Sequence, residues 1–304
     1  MIYTLTLNPA IDYVINKPVV LTNLIRFADD QTKFTIGGKG INASFILNEL
    51  GIKNKAITPT GGDLGDFLVK QLKIKNINLI KLDQELNPRL NVKLNLKTTN
   101  YEFNGPIRQL NSKAKHQLHH LFKRMKDDDY LLLMGSIHLD DFDFIEHECK
   151  ELKSKNVKLV LDIDSQLLLK LLKYQPFFIK PNHLELSSLL NKKIRTQEEI
   201  ITGINDLQKL GAKNIAITMG AKGTIASINN QLFKVDPIKI NLISPSGAGD
   251  SFVAGFISEY IKNSKPQESL IVATACATAS ASSIELAKLN EIKNYKKQVI
   301  VTNL

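Results

Sequence analysis

Tryptophan is missing from this 304-residue chain and cysteine occurs only twice. No stretch approaches the roughly 18 uninterrupted apolar residues that a membrane-spanning helix requires. Each shortage excludes something. Cys149 and Cys276 cannot build a disulfide framework and show no paired metal-ligand spacing, so a reduced compartment fits both. Met1 to Leu7 lacks the cationic start and long apolar region of a signal peptide, which leads us to expect a cytoplasmic protein with no membrane partner. Aromatic residues make up only 7% of the chain, too few for the stacking platforms of a nucleic-acid channel. Neither the G-x-x-x-x-G-K-[ST] nor the G-x-G-x-x-G phosphate-binding pattern occurs, so a nucleotide site here must use another architecture.

What is present points to a folded enzyme-sized domain. Hydrophobic residues at 43% and charged residues at 23% are ordinary globular usage, which excludes wholesale disorder, collagen and coiled coil. Forty Lys and Arg against thirty Asp and Glu give a net charge of +10, a field that attracts anions. The lysines are scattered through loops and helix faces, so most of this excess reads as solvated surface and no nucleic-acid partner is expected.

From about residue 130 onward, short apolar runs alternate with helical patterns, the signature of βαβ units and a parallel sheet. The runs are Tyr130 to Met134, Lys158 to Leu161, Phe177 to Ile179, Ile215 to Thr218 and Ile238 to Ile243. Thr196 with Glu199 reads as a capping box and Gly211 as the stop of the helix between them. Right-handed crossovers deliver every strand end to one edge, where open α/β sheets bind ligands. The N-terminal third begins with a strand around Tyr3 to Leu7, and a glycine turn at Gly37 to Gly40 leads into a helix from Ile41 to Leu50. Segments near 12–36 and 89–103 read as extended and polar; Leu90, Val92, Leu94 and Leu96 alternate with polar residues, which sets Arg89, Asn91 and Lys93 on one face. They suggest a small β flap on a single domain spanning 1–304.

Gly247-Ala248-Gly249-Asp250 precedes Phe252, Val253, Phe256, Ile257 and Tyr260 at helical spacing. That places a glycine turn at the exposed N-terminus of a buried helix, where backbone N–H groups attract an anion. Asp250 in the first turn suits a base acting on a hydroxyl that attacks phosphorus. Gly37-Gly38-Lys39-Gly40-Ile41-Asn42 is a second glycine-rich helix start. Arg89 and Lys93 offer a fork and a point charge for a phosphate dianion. Asn182 and Glu185, three apart after a strand, could sit near Mg²⁺, which keeps several waters and needs few protein ligands.

Together these residues resemble the ribokinase-like sugar kinases of the PfkB family, and specifically their 1-phosphofructokinase branch. The resemblance runs through Thr6-Leu7-Asn8-Pro9-Ala10 with Asp12, the Gly37 to Asn42 motif, Gly61-Gly62 with Gly65, Arg89 to Lys93 and Asn104-Gly105-Pro106. It continues through Lys180-Pro181-Asn182 with Glu185, Gly220-Ala221-Lys222-Gly223 and Gly247 to Ser251. It implies a doubly wound, mostly parallel sheet flanked by helices with a small β-sheet lid, which in the family often also makes a homodimer. It implies MgATP-dependent phosphorylation of fructose 1-phosphate at O6, with tagatose-6-phosphate kinase or 6-phosphofructokinase as the alternative. The partners it implies are thus a small sugar phosphate and ATP. Asp250 would be the general base, with Gly247, Ala248 and Gly249 forming the anion hole. Asp12, Gly37, Gly38, Asn42 and Asn91 would hold the sugar, while Lys39, Arg89, Arg26 and Lys93 grip its phosphate. Lys180, Asn182, Thr218, Gly220, Ala221, Gly223, Ser246 and Ser251 would serve the nucleotide, and Asn182 and Glu185 the metal through water. Two departures stand out: Ile137 and His138 replace the usual proline context after Gly135-Ser136, and Asp164-Ser165 replaces a Ser-Gly pair. Asp164 is expected to repel phosphate unless it points away, and a sugar-phosphate-binding regulator without catalysis is the non-enzyme alternative.

Overall fold

The computed structural model describes residues 1–16, 32–95 and 100–304. The chain opens with β1 (Ile2–Leu5), leaves for β2 (Ala10–Asn16) and β3 (Thr32–Gly37), and returns through α1 (Lys39–Glu49) to β4 (Asn54–Thr60), α2 (Gly62–Ile74) and β5 (Leu79–Asp83). After β6 (Arg89–Asn95) and β7 (Asn100–Phe103) come α3 (Ser112–Lys123), β8 (Tyr130–Met134), α4 (Phe142–Ser154), β9 (Lys158–Asp162), α5 (Ser165–Leu171) and β10 (Phe178–Ile179). The last third holds α6 (His183–Leu189), α7 (Gln197–Lys209), β11 (Asn214–Thr218), β12 (Thr224–Ile228) and β13 (Gln231–Val235). It ends in α8 (Ala248–Asn263), α9 (Pro266–Ala281), α10 (Leu289–Lys296) and β14 (Val301–Asn303).

Two sheets result. The large one has the order β14-β13-β12-β11-β10-β9-β8-β1-β4-β5, parallel from β5 through β11 and antiparallel over β12 to β14. The small one, β3-β2-β6-β7, pairs Asp12 with Asn91 in register. A parallel strand covered on both faces must be apolar at consecutive positions, and β8 shows this: Leu131 and Leu133 join one core, Leu132 and Met134 the other. Helices α3 to α7 close the first core, and α1, α2, α8, α9 and α10 close the second. All crossovers therefore bring the carboxyl ends of the parallel strands to one rim, facing the small sheet.

Helix α8 is apolar nearly all round. Phe256 stacks on Phe178 of the sheet at 4.2 Å between ring centres, and Gly255 lies so close to α9 that a Cβ there would sit 2.9 Å from Ala273 Cα, Cys276 Sγ and Val272 O. This fixes the position of the helix that begins with Asp250.

One expected strand does not form. Ile238 to Ile243 lies outside any ladder; Leu242 and Ile243 are exposed, and the backbone instead donates from Ile243 and Ser244 to Ala281 O. Pro237 and Pro245 bracket the segment, and proline removes ladder donors. The β12–β13 hairpin was not anticipated. It turns on Asn229 and Asn230, both left-handed, an Asn-Asn pair that serves where Asn-Gly is the stronger signal. The strand, helix and cap expectations at 130–134, 158–161, 177–179, 215–218 and 196–211 match the elements to within a residue or two, and α1 begins two residues early.

Replacing Gly255 with Ala should lower stability. Overpacking costs roughly 1–3 kcal/mol, against about 1 kcal/mol gained in helix propensity. A fall in the urea midpoint is the expected result; a rise would show that α8 and α9 have room to separate.

Candidate active site

The rim is built around two helix starts. At α8, Gly247 adopts φ +78° and a Cβ there would lie 2.5 Å from Leu286 Cδ2, so both conformation and space demand glycine. The Ala248 N–H reaches only a distant Pro245 O at 3.4 Å, and Lys180 Nζ lies 3.0 Å from where a Gly249 Cβ would stand. Backbone donors and a buried ammonium thus meet over one turn. At α1, Gly38 has φ +132° and cannot cap the helix with a side chain; Thr6 Oγ1, just past β1, instead accepts from Ile41 N at 3.0 Å.

The two starts are joined by one short bond, in which Asn42 Nδ2 donates to Asp250 Oδ2 at 2.7 Å. Lys39 Nζ donates to Asp162 Oδ1 at 3.0 Å, at the end of β9. Asp250 is 6% exposed, and burial, followed by the negative charge of Asp162, pushes its carboxyl up to about 6 against the pull of Lys39, Asn42 and Lys180. Burial would also raise Asp162, but Lys180 and Lys39 outweigh it and hold that carboxyl below the usual range. Lys39 in turn is held above the ordinary lysine value: Asp162, Asp250 and Glu185 overcome the cost of its burial.

Across the rim the small sheet presents a second polar cluster. Asp12 is buried and accepts from Asn91 Nδ2 at 2.7 Å and from Lys93 Nζ at 2.7 Å, while Gly105 N donates to Asn91 Oδ1 at 3.0 Å. A Cβ on Gly37 would come within 3.2 Å of Asp12 Oδ2. Arg89 is half-buried; burial lowers its pKa although Asp12 and Asp164 pull it up, and its Nε is buried without a partner among the described residues. Among the described residues the Nε of Arg108 and the Nδ2 of Asn8 have no partner either, and Arg108 N reaches Asn8 Oδ1 at 3.4 Å. Unpaired buried donors of this kind fit an anion or a hydroxyl-rich ligand.

Farther along the rim, Asn182 and Glu185 form the capping box of α6, with Asn182 Oδ1 accepting from Leu184 N and Glu185 N and Glu185 Oε2 accepting from Asn182 N at 2.7 Å. Thr218 bridges to Asn182 across the strand ends. The turn after it is exposed at Gly220 and Ala221; a Cβ on Gly220 would meet nothing within 4 Å, whereas one on Gly223 would strike Val235 O. Ser246 is exposed beside the α8 turn. Among the described residues no three His, Cys, Asp or Glu side chains converge as a metal cage. The oxygen-only donors at hand, Glu185 and the orphaned Asp162 Oδ2, fit a Mg²⁺ that shares its shell with water and phosphate.

Several of the residues singled out in the sequence have local partners of their own. Lys39, expected to grip the sugar's phosphate, has its ammonium on Asp162 and feels Asp250 and Glu185. Ser251, expected to serve the nucleotide, is fully buried, with its hydroxyl donating to Gly247 O at 2.7 Å and lying 2.8 Å from Ser280 Oγ, so it packs α8 on α9. Asp164 is exposed, and its charge pulls the Arg89 pKa up. His138 is taken up by a local turn, with Nδ1 accepting from Asp140 N, while Ile137 fills the core. Arg26 lies outside the described residues. Asp162, Arg108 and Asn8 were missed as site residues. Asp162 ends an apolar run as many turn residues do, and nothing in the spacing distinguishes it.

A family model described as pfkB family carbohydrate kinase matches residues 5–293. The 1-phosphofructokinase of Borreliella burgdorferi is 32% identical over 305 residues, covering 100% of this chain and 99% of that one. The D-tagatose-1-phosphate kinase of Klebsiella oxytoca is 30% identical and each chain is covered in full. Among solved structures, phosphofructokinase-2 from Escherichia coli in complex with substrates and products shares the fold with a TM-score of 0.91 at 23% identity, over 98% of both chains. The chain belongs to the pfkB family of carbohydrate kinases.

Proposed function

We propose that this chain is a 1-phosphofructokinase that transfers the γ-phosphoryl group of ATP to O6 of fructose 1-phosphate, giving fructose 1,6-bisphosphate and ADP. The observation that carries the reading is the buried Asp250 at the glycine-turned start of α8, fixed by Asn42 and facing Lys39 and Lys180. Asp250 accepts the proton of the O6 hydroxyl as that oxygen attacks phosphorus. The Gly249 amide and the Lys180 ammonium stand where the transferring group gathers negative charge, and fixed donors of this kind are the main lever in phosphoryl transfer. Asp12 and Asn91 bind sugar hydroxyls, and Arg89 with Arg108 takes the 1-phosphate. Thr218 to Gly223 and Ser246 line the nucleotide. Mg²⁺, when bound, neutralises the polyphosphate; Glu185, Asn182 and Asp162 would hold it, chiefly through water.

The same reading carries an assembly. On the small sheet, alternation sends Asp12, Asn91 and Lys93 toward the site and Tyr13, Phe34, Leu90, Tyr101 and Phe103 to the other face. Phe34 is 56% exposed and Phe103 64%. An apolar sheet face of this kind is covered by a second copy of the chain, which makes the small sheet both lid and dimer contact. Sedimentation at micromolar concentration should give a dimer for the native chain and a monomer for Phe103→Glu; a native monomer would sink this part.

ADP release with MgATP tests the reaction. Fructose 1-phosphate, tagatose 1-phosphate, tagatose 6-phosphate and fructose 6-phosphate are offered in parallel. A kcat/KM at least about 10²-fold higher for fructose 1-phosphate, equivalent to about 2.7 kcal/mol, is expected; preference for a tagatose phosphate would keep the kinase and move the substrate. Asp250→Asn should lower kcat by at least about 10² while sugar-phosphate binding persists, because general-base catalysis supplies roughly 10² to 10⁴. Near-native turnover in that variant would remove Asp250 as the base.

A further inference from the structure

At the opposite edge of the main sheet, where β9, β10 and β11 begin, a cavity of about 670 Å³ opens between the ends of α4 and α7 and the β12–β13 turn. Its size falls among small-molecule pockets, roughly 300–1,000 Å³. Lys153, Lys158, Lys209 and Lys213 line it, and among the described residues no Asp or Glu does. Counter-charge from outside the lining is thin. Asp128, itself largely in solvent, lies 3.5 Å from Lys158, and Asp206 lies 3.7 Å from Lys209. Lys153 donates to the neutral Gln175 at 2.9 Å, and neither Lys153 nor Lys213 forms an ion pair among the described residues. Burial, then the charges of Lys213 and Lys158, hold the Lys153 ammonium below its ordinary value, the mark of cations crowded without an anion.

Ordinary helix chemistry explains part of this cluster. Lys153 and Lys209 sit in the last turns of α4 and α7, where cations offset exposed carbonyls. Lys158 and Lys213 have no such duty, since one opens β9 and the other precedes β11. The floor is rigidly built. Asn214, 4% exposed, donates to Phe177 O at 2.8 Å and accepts from Asn229 N at 2.8 Å, and Asn229 Oδ1 accepts from the Tyr260 hydroxyl at 2.8 Å. Lys158 and Asp162 stand at opposite ends of β9, about 13 Å apart at the usual strand rise, so the cleft is separate from the transfer centre.

We propose that this cleft is a second ligand site that binds a small molecule carrying two or more phosphoryl groups. Four ammonium groups spread around one opening exceed what a single phosphate can engage, and the absence of lining carboxylates disfavours a cation. The amides and Phe177 in the lining suit the sugar or base to which the phosphates are attached. A nucleoside triphosphate and a sugar bisphosphate share this chemistry.

Isothermal titration of the full chain with inorganic tripolyphosphate, ATP and fructose 1,6-bisphosphate tests the proposal against Lys153→Gln/Lys213→Gln. For at least one probe, the native chain should show a binding event that the double variant loses or weakens by about tenfold or more, and that added salt suppresses. Lys153→Arg/Lys213→Arg should keep it, and both variants should keep the native kcat, KM and melting temperature. Tightest binding of ATP or of the bisphosphate would identify the moiety that the amides read; equal binding of tripolyphosphate would show that phosphates alone are read. The same stoichiometry and affinity for all three probes in the native chain and the Gln variant would overturn the proposal. Kinase activity is measured separately, so a failed functional reading and an empty cleft are distinguishable.

Discussion

Two carboxylates, Asp162 and Asp250, are buried side by side at the carboxyl edge of the main sheet, and two ammonium groups, Lys39 and Lys180, are brought there to meet them. Burying an ion costs several kcal/mol unless partners are in place, so the position of each of these four residues constrains the others. The split outcome follows from geometry. Asp162 has Lys39 in direct contact and is held toward its ionised form, whereas Asp250 has, among the described residues, only an amide at hydrogen-bond distance and its carboxyl is pushed up to about 6. Environments that push two neighbouring carboxyls apart mark the raised one as a candidate for proton transfer.

The fold exists to hold that cluster dry and fixed. Asp162 comes from the end of β9, Lys180 from just past β10, and Lys39 and Asn42 from α1, whose start is tied to β1 by Thr6. Asp250 comes from α8, which the sheet and α9 lock by contacts too close for any side chain at Gly255. None of these elements is adjacent in sequence to all the others, so the site forms only when both cores are closed. The small sheet then adds the Asp12–Asn91–Lys93 cluster from across the rim, beside the Arg89 and Arg108 donors that lack partners among the described residues.

Much of this was legible in the sequence, for identifiable reasons. Buried parallel strands write continuous apolar runs, and β8 and β9 were readable residue by residue. The Thr196 and Glu199 cap and the Gly247 to Asp250 turn carry local chemistry that shows in a few letters. Ile238 to Ile243 misled because apolar character alone cannot tell a strand from a segment lying over a helix end between two prolines. Asp162, Arg108 and the contact of Lys39 with Asp162 stayed hidden because they depend on partners 100 or more residues away. The lysines of the rear cleft looked like solvated surface for the same reason.

Asp250 is the proposed base, and its ionisation is set by burial first, then by its charged neighbours and Asn42. The most direct test is the pH profile of kcat/KM for the native chain and for Asn42→Ala. Asp250 must be ionised to accept a proton, so activity should fall as the pH drops through about 6 in the native chain. Substrate phosphates titrate nearby but equally in both proteins. Losing the Asn42 bond, which favours the ionised carboxyl, should move the enzyme's limb up by about one pH unit. Superimposable limbs in the two proteins, or a native profile flat to well below 6, would contradict it.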